Sequence, residues 1–308
     1  GDGVEEIGHA RARASIRRSS RLGQLERIVD PVLAWGTQRL RDLPWRHTRD
    51  RWHVLVSEVM LQQTQVHRVM PKFQLFIEVF PTPSACAAAP LGELLAIWQG
   101  LGYPRRCRNL HEAAKVVVRE HGGVVPAELD LLLELPGVGG YTARAVMAFA
   151  DSRDIAVVDT NIARVLARLM NEPLGKARAQ SLADELVPLG AAWEWNQVLM
   201  DLGATVCTSR APRCEECPIA GLCSWKRSGG QDPAPASTMT SKPQRRFEGS
   251  DRQARGRLMK RLTESGVKSG DAATVMGLDG QEERSSRLVN NLIREGLIAV
   301  TNGYLTLP

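Results

Sequence analysis

The sequence lacks several features that would assign it to a particular class of protein. No apolar run approaches the roughly 20 residues that a membrane-spanning helix needs. The basic N-terminus has no apolar stretch of the kind that a signal peptide carries, so we expect a protein that is not exported. There is also no clear internal repeat. These absences favour a globular protein of the cytoplasm that has no contact with a membrane.

Cysteine is scarce outside one short segment. Cys86 and Cys107 stand alone, and the other four cysteines lie in the run CTSRAPRCEECPIAGLC, residues 207–223. Clustered cysteines in a chain that is not exported indicate metal or redox chemistry rather than disulfides. Structural zinc commonly uses two close pairs of ligands, and a [4Fe–4S] cluster uses four thiolates that one loop can supply. The candidate ligands for either group are Cys207, Cys214, Cys217 and Cys223.

The charge balance points to a polyanionic partner. The chain has 308 residues, a net charge of +6 and a sequence pI of about 9.2. Its 43% hydrophobic and 24% charged residues are typical of a globular protein with a buried core. Nucleic acid is the default partner for such a chain, although many basic proteins bind none.

Composition and periodicity divide the chain into four segments. Residues 1–27 are polar and rich in arginine, which predicts a flexible basic arm. Residues 28–227 repeat apolar positions at spacings of three and four, which predicts a nearly all-α domain that ends with the cysteine run. Residues 228–246 are rich in Ser, Pro and Gly, which is typical of a linker. Residues 247–308 predict helices followed by a hairpin around Asn302-Gly303, a small winged-helix-like α/β unit.

A glycine-rich turn and a later aspartate are candidates for function. Residues 135–140 read LPGVGG and lead into a helix, whose free N–H groups and positive dipole end can seat a phosphate. The same turn could also be a plain packing corner between two helices. Asp159 follows the apolar run AVV at a helix start, where an aspartate most often caps the helix.

Taken together, these features resemble the helix-hairpin-helix DNA glycosylase superfamily, which has the endonuclease III fold. The resemblance covers about residues 35–225. Four stretches look like the MutY branch, the adenine-DNA glycosylases: RDLPWR, SEVMLQQTQV, QGLGYPRRCRNLHEAA and LPGVGGYTA. The resemblance implies a mostly α, two-lobed fold and assigns a [4Fe–4S] cluster to the cysteine loop.

The resemblance also implies the residues that carry the chemistry. Glu58 matches the acid that protonates adenine, and its apolar neighbours are expected to favour the protonated form. Asp159 matches the carboxylate beside the sugar, and Asn161 matches an asparagine that orients the water and the aspartate. Tyr141 stands where bifunctional members carry a lysine, so we expect no Schiff base and a monofunctional glycosylase.

Other positions match residues that hold DNA. Gln63 and Tyr103 match residues that insert into the duplex, Tyr103 beside the orphan guanine. Positions around the extruded base are Arg41, Trp45, Arg46 and Leu61. Residues expected at the DNA backbone are Gly137, Val138, Gly139, Gly140, Thr142, Arg105, Arg106 and Arg108, although the arginines could also form a solvated face.

We therefore expect removal of adenine mispaired with 8-oxoguanine or guanine in double-stranded DNA, by a monomer associated with the nucleoid. No Nudix-like domain follows the linker, so the basis for recognising oxidised guanine stays open. A thymine/uracil-DNA glycosylase acting on G·T or G·U mismatches is the alternative within the fold. A non-catalytic DNA-binding module is the alternative outside the enzymes.

Overall fold

The computed structural model describes residue 23, residues 26–239 and residues 246–308. Nearly all of the predicted arm and residues 240–245 of the predicted linker lie outside this range. The described residues form two compact units. The cysteine-loop unit combines the residues up to 42 with residues 152–239, and the hairpin unit combines residues 43–151 with residues 246–308.

The described residues are mostly helical, as predicted. In chain order the α-helices are α1 (Val29–Gly36), α2 (Arg51–Leu61), α3 (Val66–Val79), α4 (Pro83–Ala88), α5 (Leu91–Trp98), α6 (Pro104–His121), α7 (Leu129–Glu134), α8 (Gly140–Phe149), α9 (Thr160–Met170), α10 (Lys176–Leu186), α11 (Ala192–Thr205), α12 (Ser224–Ser228), α13 (Asp251–Leu262), α14 (Ala272–Met276) and α15 (Glu282–Arg294). The strands are β1 (Val267–Lys268), β2 (Ala299–Thr301) and β3 (Tyr304–Thr306). No described helix is both long and apolar enough to cross a membrane.

The core of the hairpin unit is built around α2. Asp50 caps this helix by accepting hydrogen bonds from the amides of Trp52 and His53 at 2.8 and 3.1 Å. The helix then buries residues on all sides and packs against both α3 and α8. Trp52 donates its indole N–H to the carbonyl of Phe80 at 3.0 Å, so its polar atom is satisfied in the core. A helix buried all round holds its side chains in fixed positions.

The core of the cysteine-loop unit lies between α9 and α11. Ile162 and Leu166 of α9 and Trp195 and Leu199 of α11 belong to one buried apolar cluster. The two helices approach closely at Gly203, where an added Cβ would lie 2.7 Å from the Cβ of Asn161. Glycine is therefore required there, because any side chain would push α11 away from the start of α9.

The C-terminal residues fold in the order α13, β1, α14, α15, β2, β3. The strands form an antiparallel sheet in the order β1-β3-β2. Asn302 and Gly303 both have positive φ, 53° and 79°, which is the conformation of a tight hairpin turn. This is the winged-helix-like unit that the sequence predicts. It belongs to the hairpin unit, where the amide of Gly92 donates to the carbonyl of Pro308 at 2.9 Å.

The first part of the predicted linker requires a correction. Asp232 forms an ion pair with the buried Arg168 at 2.6 Å, and residues Ala234–Ala236 form a short 3₁₀ helix. Ser237 is buried, and its hydroxyl accepts a hydrogen bond from the amide of Leu174 at 3.0 Å. These residues are packed into the cysteine-loop unit. Their composition resembles a linker because small and polar residues also serve as caps and ion-pair partners.

Candidate functional site

Glu58 occupies the centre of α2 and is only 5% exposed. Its sequence neighbours Ser57 and Val59 are buried as well. Glutamate is almost never this buried unless it has partners or a function that requires burial. The structure therefore places the predicted acid inside the hairpin unit and not on its surface.

The glycine-rich turn, residues 135–140, lies in the same unit and exposes its glycine backbone to solvent. The amide of Val138 donates to the carbonyl of Leu135 at 3.0 Å and closes the turn. Gly137 has a φ of 79°, and an added Cβ would lie 2.8 Å from Asn109. Gly139 and Gly140 are exposed, and none of the described side chains caps α8. The amides of the first turn of α8 have no partner within the helix, so they can bind an anion.

Two side chains follow this turn. Tyr141, in the first turn of α8, is partly buried. Thr142 is 2% exposed, and its hydroxyl accepts a hydrogen bond from the Gln62 amide at 3.4 Å. The side chain of Thr142 therefore points inward. The predicted contact of this residue with DNA would have to use its backbone amide. The side chain of Val138 is buried too.

Gln63 and Tyr103 lie on two loops of the hairpin unit. Both have left-handed backbones, with φ values of 54° and 49°. Gln63 is exposed, and Leu61 at the end of α2 and Tyr103 are partly buried. Arg105 is exposed and Arg108 is partly buried.

Arg106 requires a correction. The sequence predicts that it contacts a phosphate, but its two terminal nitrogens donate to protein oxygen atoms of the α2 end and of two loops. Partial burial also lowers the pKa of Arg106 to about 10. No local pattern marks this role: Arg106 is the third residue of α6, and its acceptor Val59 lies 47 residues earlier in the chain.

The residues predicted around the extruded base lie in different units. In the cysteine-loop unit, Arg41 forms an ion pair with the fully buried Asp201 at 2.7 Å. In the hairpin unit, Trp45 and Arg46 are both 8% exposed. Trp45 packs edge-on against Phe73 with ring centroids 5.7 Å apart. Arg41 and Trp45 each have a partner within their own unit.

Asp159 caps α9 in the cysteine-loop unit. One carboxylate oxygen accepts from the amide of Ile162 at 2.7 Å, and the other accepts from the side-chain amide of Asn161 at 2.8 Å. Burial raises the pKa of the Asp159 carboxyl, and the hydrogen bonds from Ile162 and Asn161 oppose the shift. The aspartate is therefore a cap whose carboxyl takes up a proton more readily than that of a free aspartate.

A chain of hydrogen bonds continues from Asn161 to the cysteine loop. Arg164 donates to the Asn161 side-chain oxygen at 2.8 Å and to the carbonyl of Gly203 at 2.7 Å. Its Nε donates to the carbonyl of Cys207 at 2.7 Å. Arg164 thus links the carboxyl of Asp159, through one amide, to the first cysteine of the loop.

Arg168, one turn further along α9, holds the cysteine loop itself. It is 2% exposed and donates to the carbonyl of Thr208 at 2.7 Å and to the Sγ of Cys207 at 3.3 Å. Asp232 pairs with it, and Trp225 stacks on it at 4.8 Å. Neither arginine is among the residues predicted from the sequence, although two cations four residues apart in a mostly apolar helix are a visible signal.

The four cysteines of the loop form no disulfide within the described part of the chain and are partly buried. Burial, with the charge of the neighbouring thiols, raises the pKa of Cys217 to about 11. Among the described residues, no three His, Cys, Asp or Glu side chains group closely enough for a single metal ion. Four sulfurs around one zinc would stand only about 4 Å apart, whereas those around a cube of iron and sulfide stand farther apart. Four thiolates from one loop are the donor set that a [4Fe–4S] cluster takes.

Comparison with known proteins identifies the family. Residues 56–188 match the HhH-GPD superfamily of base excision DNA repair proteins, and residues 207–223 match the iron-sulfur binding domain of endonuclease III. An adenine DNA glycosylase of Mycolicibacterium smegmatis is 43% identical over 281 residues, which cover 89% of this chain and 94% of that protein. The chain belongs to the HhH-GPD superfamily. The predicted resemblance to its adenine-DNA glycosylase branch is confirmed.

Two further relatives carry a different name. A thymine/uracil-DNA glycosylase of Methanothermobacter thermautotrophicus is 37% identical over 211 residues, which cover 64% of this chain and 92% of that protein. The solved structure of a thermostable thymine-DNA glycosylase matches with a TM-score of 0.62 and 33% identity, and covers 67% of this chain and 98% of that chain. These HhH-GPD relatives confirm the predicted fold, and they match a shorter part of the chain.

The cysteine loop of this HhH-GPD protein binds a [4Fe–4S] cluster, as predicted, and Cys207, Cys214, Cys217 and Cys223 in the matched segment are the expected ligands. We expect Cys217→Ser to reduce the iron content from about four atoms per chain to well below that, with loss of the brown colour, because a hydroxyl is a poor substitute for a thiolate ligand. Iron analysis and visible absorption measure this. Cys86→Ala, at a buried cysteine outside the loop, is the control that should keep its iron. One zinc per chain in the unaltered protein would contradict the assignment.

Proposed function

We propose that this protein is a monofunctional adenine-DNA glycosylase of base excision repair, which hydrolyses the N-glycosidic bond of adenine mispaired with 8-oxoguanine or guanine. The observation that carries the proposal is the likeness to the adenine DNA glycosylase of M. smegmatis, which runs over 94% of that protein. The burial of Glu58 in the hairpin unit and of Asp159 in the cysteine-loop unit supports the proposal.

The reaction needs an acid and a carboxylate. Cleavage of the bond from C1′ to the base leaves negative charge on the base and positive charge on the sugar. In the proposal, Glu58 supplies the proton that lets the base depart, and its burial in α2 supports a role as a proton donor. Asp159 stabilises the positive sugar, and water adds to C1′ with loss of a proton. Asn161, bonded to Asp159 at 2.8 Å, orients the carboxylate.

Double-stranded DNA is the proposed partner. The start of α8 suits a phosphate, because the exposed Gly139 and Gly140 lie at the positive end of the helix dipole. Arg105, which is exposed on the same unit, supports this surface. A protein with this role would act as a monomer on the nucleoid in the cytoplasm. The C-terminal winged-helix-like unit is proposed to take part, because Arg252 of α13 donates to the Tyr103 hydroxyl at 3.2 Å.

Tyr141 is the basis of a prediction about the product. A tyrosine cannot form a Schiff base with the sugar, so we expect base loss without strand cleavage. Duplexes with a labelled adenine strand should be cut only after treatment with alkali, and borohydride should trap no covalent complex. Tyr141→Lys is expected to give a trapped complex. Strand nicking by the unaltered protein, before alkali, would contradict the monofunctional assignment.

A second function has a specific observation in its favour. The thymine/uracil-DNA glycosylase relative is 37% identical over 92% of its length. Single-turnover assays on duplexes with adenine opposite 8-oxoguanine, adenine opposite guanine, and thymine or uracil opposite guanine separate the two proposals. Rapid adenine loss supports the first, and loss of thymine or uracil alone supports the second. Binding with no base loss from any duplex would indicate a non-catalytic DNA-binding module.

A further inference from the structure

Two predicted DNA-inserting residues share an uncommon backbone conformation. Gln63 and Tyr103 both have φ values near +50°, in the left-handed region that non-glycine residues rarely occupy. Neither residue needs this conformation for a regular element, since Gln63 lies in the loop between α2 and α3 and Tyr103 precedes α6. Backbones of this kind persist when surrounding contacts determine them, and they concentrate at functional sites.

One side chain contacts both loops. The Arg106 guanidinium donates to six oxygen atoms at 2.5–3.0 Å: the carbonyls of Val59, Met60, Gln62, Leu101 and Gly102, and the hydroxyl of Thr64. Gln62 and Thr64 are the two neighbours of Gln63. Leu101 and Gly102 directly precede Tyr103. One planar group therefore contacts the Gln62 backbone and the Thr64 side chain on the two sides of Gln63, and the backbone that precedes Tyr103.

A second contact ties the two loops to each other. The Thr64 hydroxyl, which accepts a hydrogen bond from Arg106 at 3.0 Å, lies 3.1 Å from the carbonyl of Leu101 and can donate to it. The guanidinium carbon also lies 5.5 Å from the centroid of the Tyr103 ring. The position of each loop is thus linked to that of the other through Arg106.

The chemistry of this position favours arginine over other cations. Val59 and Met60 belong to the last turn of α2, where carbonyls lack helical partners and the helix dipole is negative. The Trp98 ring offers a further stabilising face at 5.5 Å. The six oxygen acceptors are all neutral, so no carboxylate in this set offsets the burial of the charge. A lysine would offer three donors from a point and could not span the same acceptors.

We propose that Arg106 is a positioning residue that holds Gln63 and Tyr103 together in the conformation from which they enter the duplex when the target base is extruded. The inference rests on the proposed function and names a residue that acts through the two inserting side chains. Because it does not touch the reacting bond, its loss should impair base extrusion and leave the cleavage step unchanged.

The test compares two DNA substrates in single-turnover assays. One carries adenine opposite guanine, and the other carries adenine opposite an abasic site, where extrusion costs less. We expect Arg106→Lys to slow excision of adenine opposite guanine about 100-fold, which is the size of effect that a displaced positioning group can have. Excision of adenine opposite the abasic site should slow much less. Fluorescence of 2-aminopurine next to the target should report the reduced unstacking directly. Arg119→Lys, at an exposed position of α6, is the control.

A double-variant experiment distinguishes positioning from general loss of structure. In a protein that already carries Gln63→Ala and Tyr103→Ala, Arg106→Lys should add little further loss on the mismatched duplex, because its effect passes through those side chains. An equal additional loss in that background, or an equal loss on both substrates, would overturn the proposal. Absence of adenine excision by the unaltered protein would instead contradict the proposed function.

Thr64→Val keeps the proposal testable if Arg106→Lys does not fold. It removes the hydroxyl that joins Arg106 to the Leu101 carbonyl and leaves the arginine in place. We expect a smaller defect, about 10-fold, with the same preference for the mismatched substrate. No substrate preference in a folded Thr64→Val protein would count against the proposed link between the loops.

Discussion

Asp159→Asn is expected to slow adenine excision by about 10³- to 10⁴-fold and to leave duplex binding nearly unchanged. Asparagine has the shape of aspartate and no charge, so it cannot stabilise positive charge on the sugar. Single-turnover kinetics with enzyme in excess measure the rate, and a gel-shift titration on the same duplex measures the affinity.

The fold should tolerate this change. Asparagine caps helices about as well as aspartate, and its oxygen can still accept from the amide of Ile162. The second oxygen becomes an NH₂ group that faces the Asn161 amide, so one hydrogen bond, worth about 1 kcal/mol, is lost or rearranged. Urea unfolding of the variant should therefore show a modest decrease in stability.

Asp50 provides a matched control for the capping role. It caps α2 through hydrogen bonds from Trp52 and His53, as Asp159 caps α9, and it is not a candidate for the chemistry. Asp50→Asn should keep full excision activity. If both variants stay fully active, Asp159 is a helix cap and the proposed role is lost.

The pH dependence of the wild-type rate gives a second observable for Asp159. Burial raises the pKa of its carboxyl, so the rate should fall as the pH decreases through a value above the usual 3.8 of an aspartate. The stability of the fold depends on pH in the opposite direction to the rate. Because the folded-state pKa exceeds the unfolded one, the native state holds the proton more tightly, and this group's contribution to stability decreases as the pH rises through the window between the two values.

Local patterns were enough to predict most of the helices and the C-terminal hairpin. The Asn302-Gly303 turn needs two positive φ values, and the structure has them at 53° and 79°. The four-cysteine loop was equally visible, because ligand spacing is a property of the sequence itself. By contrast, β1 has only two residues and exists through its pairing with β3, so no local pattern marks it.

Side-chain partners far apart in the sequence could not be predicted. From the sequence, Asp232 looks like part of a linker. Its partner Arg168 lies 64 residues earlier in the chain, and only the fold brings the two side chains together. Arg106 looks like a phosphate ligand because it is an arginine in a basic stretch. Its direction depends on where α2 ends, which is set by the packing of α2 in the hairpin unit. The corrections therefore concern groups whose role depends on tertiary contacts.

Glu58→Gln is expected to slow adenine excision by about 10²- to 10⁴-fold, because glutamine cannot give a proton to the departing base. The change is nearly isosteric, and it replaces a buried carboxyl that is 5% exposed by a neutral amide. The folded core of α2 should survive, which circular dichroism and thermal unfolding can verify. Glu112→Gln, at an exposed ion pair with Lys115 on α6, is the control that should keep its activity.

Leaving-group chemistry separates the role of Glu58 from that of Asp159. A purine with electron-withdrawing substituents departs as a stabilised anion and has less need of a proton. The defect of Glu58→Gln should therefore shrink on such a substrate, while the defect of Asp159→Asn should persist, since the sugar still becomes positive. An unchanged Glu58→Gln defect on the better leaving group would mean that Glu58 does not deliver the proton. A smaller defect in Glu58→Gln together with an unchanged defect in Asp159→Asn would assign the first carboxyl to the base and the second to the sugar.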